Sequence, residues 1–316
     1  MPRMILFACL LALTLPVAAQ DKAVKFLVGF PAGAGLDTMT RLVADRMRVT
    51  LGQPVVVENK PGAAGQIVME ALKGSPADGS TLVMTPLVTV VLAPHLYPNL
   101  RYNAFADFAP VAHTAHFLFA FAVGAEVPAK SLADYVGLVK KDVKFGNYAS
   151  AAAGSLPHFF SLLFADAAGV KMNHVGYKGT AAALTDLLGG QIAGFMGVVS
   201  DVGTQHKAGK LRVLATSGAQ RSRHLPGIPT FRELGYNIED GGWYAAYAPA
   251  KTPQAAVDRL SAAIIEALKS PDVRDKLDAL GMEPTGLGPA ELARIHKSDY
   301  DKWGPVIKAS GFKPES

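Results

Sequence analysis

From residue 24 onward, two kinds of hydrophobic order take turns along the chain. Val24-Lys25-Phe26-Leu27-Val28, Val55-Val56-Val57 and Thr81-Leu82-Val83-Met84 are short apolar runs with the length and β-branched content of buried strands. Between the first two, Met39, Leu42, Val43 and Met47 recur at helical spacing from Leu36 to Leu51, and Gly52 is the stop signal. Gly65 to Lys73 predicts a second helix, and Asp78-Gly79 supplies the turn into the third strand. Strands that alternate with helices imply βαβ units and a parallel sheet.

A second region of the same kind follows the proline-containing stretch near Pro110 and Pro128. Here Val143 to Tyr148 predicts a strand and Pro157 to Ala168 a helix, with further strands near Met172 to Val175, Gly194 to Val199 and Leu211 to Ser217. The helix Thr180 to Leu188 ends at Gly189-Gly190. Toward the C-terminus the order changes: Val257, Leu260, Ile264 and Leu268 make one apolar helical stripe, and Val273, Leu277 and Leu280 another. Such amphipathic helices pack on an existing sheet. If they dock on the first one, that domain is discontinuous and the chain crosses between domains twice.

Composition adds the compartment. Arg3 precedes an apolar run from Met4 to Val17 that ends in Ala18, Ala19 and Gln20, the pattern of a secretory signal peptide with cleavage expected near Ala19. The run is too short for an ordinary membrane span. The single cysteine, Cys9, lies inside it, so the mature chain is expected to form neither a disulfide nor a thiolate metal site. Of the 31 basic residues only Arg3 falls in the leader, so the mature charge stays mildly positive against 26 acidic residues. No basic stripe organises that charge, which argues against nucleic acid as a partner. A hydrophobic fraction of 50% over 316 residues is enough to fill sizeable cores.

The chemistry-bearing candidates sit at strand-to-helix junctions. Phe30-Pro31-Ala32-Gly33-Ala34-Gly35 precedes a helix, so free N–H groups at the helix start can face a cleft and take an anion. The competing reading is a tight turn that needs glycine only for its backbone angles. Neither a third glycine nor Gly-Lys-Ser/Thr follows, which rules out the dinucleotide and P-loop fingerprints. Asp37, in the first turn, is read either as a cap for backbone donors or as the holder of a bridging water. Ser150 and Gly154-Ser155 form a second helix start before Pro157. Tyr177 and Thr180 flank a third, where Thr180 either caps the helix or binds ligand, and Thr85-Pro86-Leu87 ends a strand where open parallel sheets bind ligands. Phe30, Trp243 and Tyr244 are candidates for aromatic walls or for core. His113 and His116 lack a carboxylate partner in any recognisable metal pattern, and Ser155 and His158 lack a nucleophile motif and an orienting acid.

Ordered motifs along nearly the whole mature chain carry a family resemblance. They are Phe30-Pro31-Ala32-Gly33-Ala34-Gly35-Leu36-Asp37, Glu58-Asn59-Lys60-Pro61-Gly62-Ala63-Ala64-Gly65, Ala77-Asp78-Gly79-Ser80-Thr81-Leu82 and Phe108-Ala109-Pro110-Val111. Gly154-Ser155-Leu156-Pro157-His158, Tyr177-Lys178-Gly179, Asp186-Leu187-Leu188-Gly189-Gly190-Gln191-Ile192, Leu225-Pro226-Gly227-Ile228-Pro229-Thr230 and Ala248-Pro249-Ala250-Lys251-Thr252-Pro253 complete the set. The chain resembles the Bug-type periplasmic solute-binding receptors of tripartite tricarboxylate transporters.

The resemblance implies an α/β, two-lobed periplasmic-binding-protein (Venus-flytrap) fold with the ligand cleft between lobes. Residues 1–19 are the expected signal peptide, 20–121 plus 244–316 lobe 1 and 122–243 lobe 2. It implies a receptor located in the periplasm, with no catalytic residues, metal or cofactor, and a monomer is expected. A ligand carboxylate is held by loops of both lobes through amides, hydroxyls and waters, and is passed to membrane subunits of the transporter or to a membrane sensor. The expected ligand-binding residues are Phe30, Ala32, Gly33, Ala34, Asp37, Thr85, Leu87, Ser150, Gly154, Ser155, Tyr177, Thr180 and Val198. Three departures from the family pattern, Ala152 for glycine, apolar Leu87 and the segment Gly197-Val198-Val199-Ser200, point to a less polar pocket and a ligand with an apolar or aromatic body. The competing reading is a secreted hydrolase of a small ester or amide, built on Ser155 and His158.

Overall fold

A computed structural model describes residues 23 to 177 and 179 to 314, so the expected leader and Lys178 lie outside the described residues. The first lobe opens with β1 (Val24–Val28), α1 (Gly35–Leu51), β2 (Val55–Asn59), α2 (Gln66–Lys73) and β3 (Thr81–Pro86). Strands β2 and β3 flank β1 in parallel, with Phe26 level with Val57 on one side and Leu82 on the other. β3 is buried along both faces and β1 along both but for the exposed Lys25, because helices cover the two faces of the sheet. A π-helical turn at Val88–Leu92 leads into the short α3 (Ala93–Leu96), and then β4 (Phe108–Phe117) joins the same sheet.

At Leu118 the chain leaves for the second lobe, made of β5 (Phe119–Gly124), α4 (Leu132–Lys141), β6 (Asn147–Ser150), α5 (Leu156–Ala168), β7 (Asn173–Gly176), α6 (Thr180–Leu188), β8 (Gly194–Val198), α7 (Val199–Lys207) and β9 (Leu211–Thr216). It returns through Gly241 into β10 (Gly242–Pro249), followed by α8 (Gln254–Lys269), α9 (Pro271–Ala279), β11 (Glu283–Leu287) and α10 (Pro289–Ser310). Within the described residues, one sheet has six strands in the order β11-β4-β10-β3-β1-β2, and the other has five in the order β7-β6-β8-β5-β9. The changeovers lie a few residues from the expected divisions after 121 and 243. Phe119 is already paired with Val198, and Gly242 with Phe117.

The two crossing segments run close together, and glycine permits it. A Cβ on Gly241 would collide with the His116 ring and the Phe117 carbonyl, and one on Gly242 with the Phe117 ring. One expected strand is corrected: Val143–Gly146 is a 3-10 turn, and β6 begins only at Asn147. Asp142 forms that turn by accepting the Lys144 N–H at 3.0 Å, which leaves Val143 exposed at 76%.

The C-terminal stripes bury against the first lobe. Val257, Leu260, Ile264, Leu268, Val273 and Leu277 share a core with Met39, Val43 and Met47 of α1 and Phe26 of β1. Each such fully buried side chain is worth roughly 1.5–3 kcal/mol of hydrophobic transfer. The last helix, α10, was not legible as a stripe; it lies on the first sheet through His296 and Asp299 and reaches the second lobe at Trp303, which packs on Phe160 of α5 with ring centres 5.3 Å apart. No helix among the described residues is long and apolar enough to cross a membrane.

Candidate functional site

The loop from Phe30 to Ala34 delivers the chain from β1 into α1. Its shape is held from behind by Asp37, whose Oδ2 accepts the Gly33 N–H and Arg41 Nε–H, each at 2.9 Å, while Oδ1 accepts Asn59 Nδ2 at 2.8 Å. Asn59 Nδ2 also donates to the Phe30 carbonyl at 3.1 Å. Burial works to raise the Asp37 pKa, but the bonds from Arg41, Gly33 and Asn59 together outweigh it and hold the carboxyl below its ordinary range. Gly33, at φ +83°, occupies a backbone region that favours glycine. The N-cap of α1 is Ala34, which has no side chain to cap with. Among the described residues nothing accepts the N–H groups of Gly35 and Leu36, and both residues line a cavity.

The second loop, Ala151 to Ser155, precedes α5 and is fixed in a similar way. Ser150 Oγ contacts His174 Nε2 at 2.8 Å and donates to the Ala152 carbonyl at 3.0 Å. Ser155 Oγ donates to that same carbonyl at 2.6 Å, and His158 Nδ1 accepts the Gly154 N–H at 3.1 Å. His158 and His174 stack with centroids 4.0 Å apart. Burial lowers the pKa of both rings, His174 to about 4 with a further contribution from His158, so both are neutral at physiological pH. Ser155 is the N-cap residue but makes no side-chain cap, and its hydroxyl turns to Ala152 and not to His158. The nucleophile and base of the hydrolase reading are therefore not paired.

Both helix starts meet at one cavity of about 440 Å³. Its walls come from the β1–α1 loop, the end of β3, the crossing strands, the Ala151–Ser155 loop, the end of β8 and the segment after α10. Of the expected residues, Phe30, Ala34, Leu87, Gly154, Ser155 and Val198 lie in these walls. Ala32, Gly33, Asp37, Thr85, Ser150, Tyr177 and Thr180 do not. Thr85 is buried and bonds Thr89 Oγ1 at 2.6 Å, and the Tyr177 hydroxyl donates to Asp186 Oδ2 at 2.5 Å. Thr180 is not the cap of α6, a place taken by Gly179; its hydroxyl donates to Asp201 Oδ2 at 3.3 Å. Trp243 is core, with Nε1 donating to Asp299 Oδ2 at 2.6 Å, whereas its neighbour Tyr244 lines the cavity.

Sequence reasoning missed Tyr97, Phe117, Phe119 and Phe312 in the same walls. Phe117 and Phe119 bracket the crossing at Leu118, and their alternation about it was the one available signal. Among the described residues, no lysine, arginine, histidine, aspartate or glutamate lines the cavity, and the side-chain polar atoms there belong to Tyr97, Ser155 and Tyr244. Among the described residues, no group of three or more histidine, cysteine, aspartate or glutamate side chains is placed to hold a metal.

A model of the tripartite tricarboxylate transporter family receptor matches residues 39–312. The chain belongs to that receptor family. Protein BugT of Bordetella pertussis is similar to this receptor, with 30% identity over 98% of this chain and 96% of its own. Among solved structures, the periplasmic binding protein BugD is 30% identical with a TM-score of 0.78, covering 93% of this chain and 99% of its own. MatC from Rhodopseudomonas palustris, solved with bound malate, is 30% identical with a TM-score of 0.76, over 93% and 100% of the two chains. R. palustris Rpa4515, solved with adipate, is 29% identical with a TM-score of 0.81, over 93% and 99%. These relatives agree with the expected two-lobed α/β receptor fold, and the family consists of solute-binding receptors and not enzymes.

Proposed function

We propose that this receptor works in the periplasm, captures a small organic carboxylate with an apolar or aromatic body between its lobes, and hands it to the membrane subunits of a tripartite tricarboxylate-type transporter. The observation that carries this reading is that two helix starts without side-chain caps, one from each lobe, open on a single cavity whose wall, among the described residues, has no charged side chain. Unpaired N–H groups and the positive ends of two helices suit one carboxylate. Phe30, Ala34, Gly154 and Ser155 are then its neighbours, and Leu87 and Val198 flank the body of the ligand. The bound malate and adipate in two solved relatives support the ligand class.

The wall chemistry supports an apolar body. Phe30, Phe117, Phe119 and Tyr244 offer faces for an aromatic or alicyclic group, whose removal from water contributes about 25 cal/mol per Å². A second carboxylate lodged among those rings would be desolvated without a cation among the described wall residues, at several kcal/mol. Calorimetry and thermal unfolding of the purified mature protein, stripped of bound solute, test the reading against benzoate, phenylpropionate, adipate, malate and citrate. The expected result is one-to-one binding, tightest for the aromatic acids, with stabilisation of about 2.7 kcal/mol at a hundredfold excess over Kd. Failure of every acid in a broad panel to bind would overturn it.

A further inference from the structure

Most of α10 belongs to the first lobe, where His296 Nε2 contacts the Val90 carbonyl at 2.9 Å and Asp299 holds Trp243. Its far end leaves that lobe. Gly311, at φ +64°, turns the chain out of the helix, and Ser310 Oγ accepts the Phe312 N–H at 3.1 Å. The Phe312 ring is thereby directed onto the second lobe, edge-on to His158 and Phe159 at 5.3 and 5.9 Å between centroids. It occupies the place a side chain at Gly154 would need, since a Cβ there would lie 2.6 Å from its Cε1. The same ring lines the ligand cavity.

We propose that Phe312 is a specificity-determining residue of the ligand site. Carried beyond the far end of α10, a helix anchored on the first lobe at His296 and Asp299, it closes one side of the cavity against the second lobe's Ala151–Ser155 loop and sets how large an apolar body the receptor accepts. This rests on the carboxylate reading of the cavity given above. The physical reason is twofold. The ring fills volume that would otherwise extend the cavity, and close-packed aromatic surface excludes water from the Ala151–Ser155 loop in the cavity wall. Because the contact joins groups from different lobes, it is complete only when the lobes are together. It therefore adds to the stability of the ligand-binding form, and removal of the ring weakens binding even where the ligand does not touch it.

The test compares the mature wild-type protein with Phe312→Ala and Phe312→Leu. In ligand-free protein, hydrogen exchange of amides in residues 152–160 is expected to quicken about tenfold or more in Phe312→Ala, with β9 unchanged. Titrations with adipate, benzoate, 2-naphthoate and the apolar anionic dye anilinonaphthalene sulfonate are expected to show about tenfold weaker binding of the acid the wild type prefers. The order of preference should shift toward the bulkier probes, and Phe312→Leu should lie between. Unchanged exchange together with an unchanged order of probes overturns the proposal. If wild type binds none of the acids, the carboxylate reading fails, and exchange with the dye titration decides on Phe312 alone, change supporting it and no change overturning it. If Phe312→Ala does not fold, the same comparison is made with Phe312→Leu.

Discussion

At the scale of single residues, the two helix-start loops at the cavity are shaped by side chains that do not line it. Asp37 gathers Gly33, Arg41 and Asn59, and the His158–His174 pair holds Gly154 and Ser150. The histidines make a pH prediction. Burial lowers their pKa in the folded state, so as pH falls below the ordinary value of 6.5 the unfolded chain takes up protons that the folded chain refuses. Stability is therefore expected to decline between pH 6.5 and about 4, with His174 contributing on the order of 1–3 kcal/mol. Urea unfolding across that range checks it, with His174→Gln as the comparison. The glutamine can keep a bond to Ser150 but cannot titrate, so the slope should be shallower, and an unchanged slope would remove His174 from the account. That Asp37 and Ser150 stand near a helix start was legible from their spacing. Which way they point was not, because a carboxylate or hydroxyl in a first turn has several donors and acceptors within reach and tertiary neighbours choose among them.

At the scale of elements, the crossing strands show how tightly local structure is set by a distant partner. Gly242 reads in sequence as an ordinary flexible position, yet it is glycine because the Phe117 ring lies against it. Replacing it with alanine should cost about 1–3 kcal/mol, as overpacking does, in denaturant unfolding of the ligand-free protein. Gly227→Ala, where nothing lies within 4 Å of the added carbon, should be near neutral. Equal effects from the two would mean that backbone freedom and not close approach explains Gly242. The helices α1, α5, α6 and α8 were readable because a surface helix shows its buried stripe in the sequence. The strand predicted at Val143 failed because its alternation came from a short turn that Asp142 ties off, and α10 escaped because its buried stripe of Leu292, His296, Trp303 and Ile307 is sparse and includes a histidine, so it does not read as an apolar face.

At the scale of the whole molecule, two chain crossings and α10 connect the lobes, and the cavity lies where their loops meet. A ligand that bridges both loops stabilises whichever arrangement brings them together, by its difference in affinity for the two states. A saturating aromatic acid is therefore expected to reduce the radius of gyration measured by solution X-ray scattering. Identical profiles with and without an acid shown to bind would mean that the lobes are already together without ligand. The sequence by itself determined the alternation of strands and helices, the glycine stops, the motifs that mark the receptor family and the helix starts that can accept an anion. These are local properties, since periodicity and capping are satisfied within a few residues. Only the tertiary structure decided which residues form the wall. Phe30, Leu87, Phe117, Gly154, Val198 and Phe312 are scattered across the chain, and their meeting depends on long-range packing that no local pattern records.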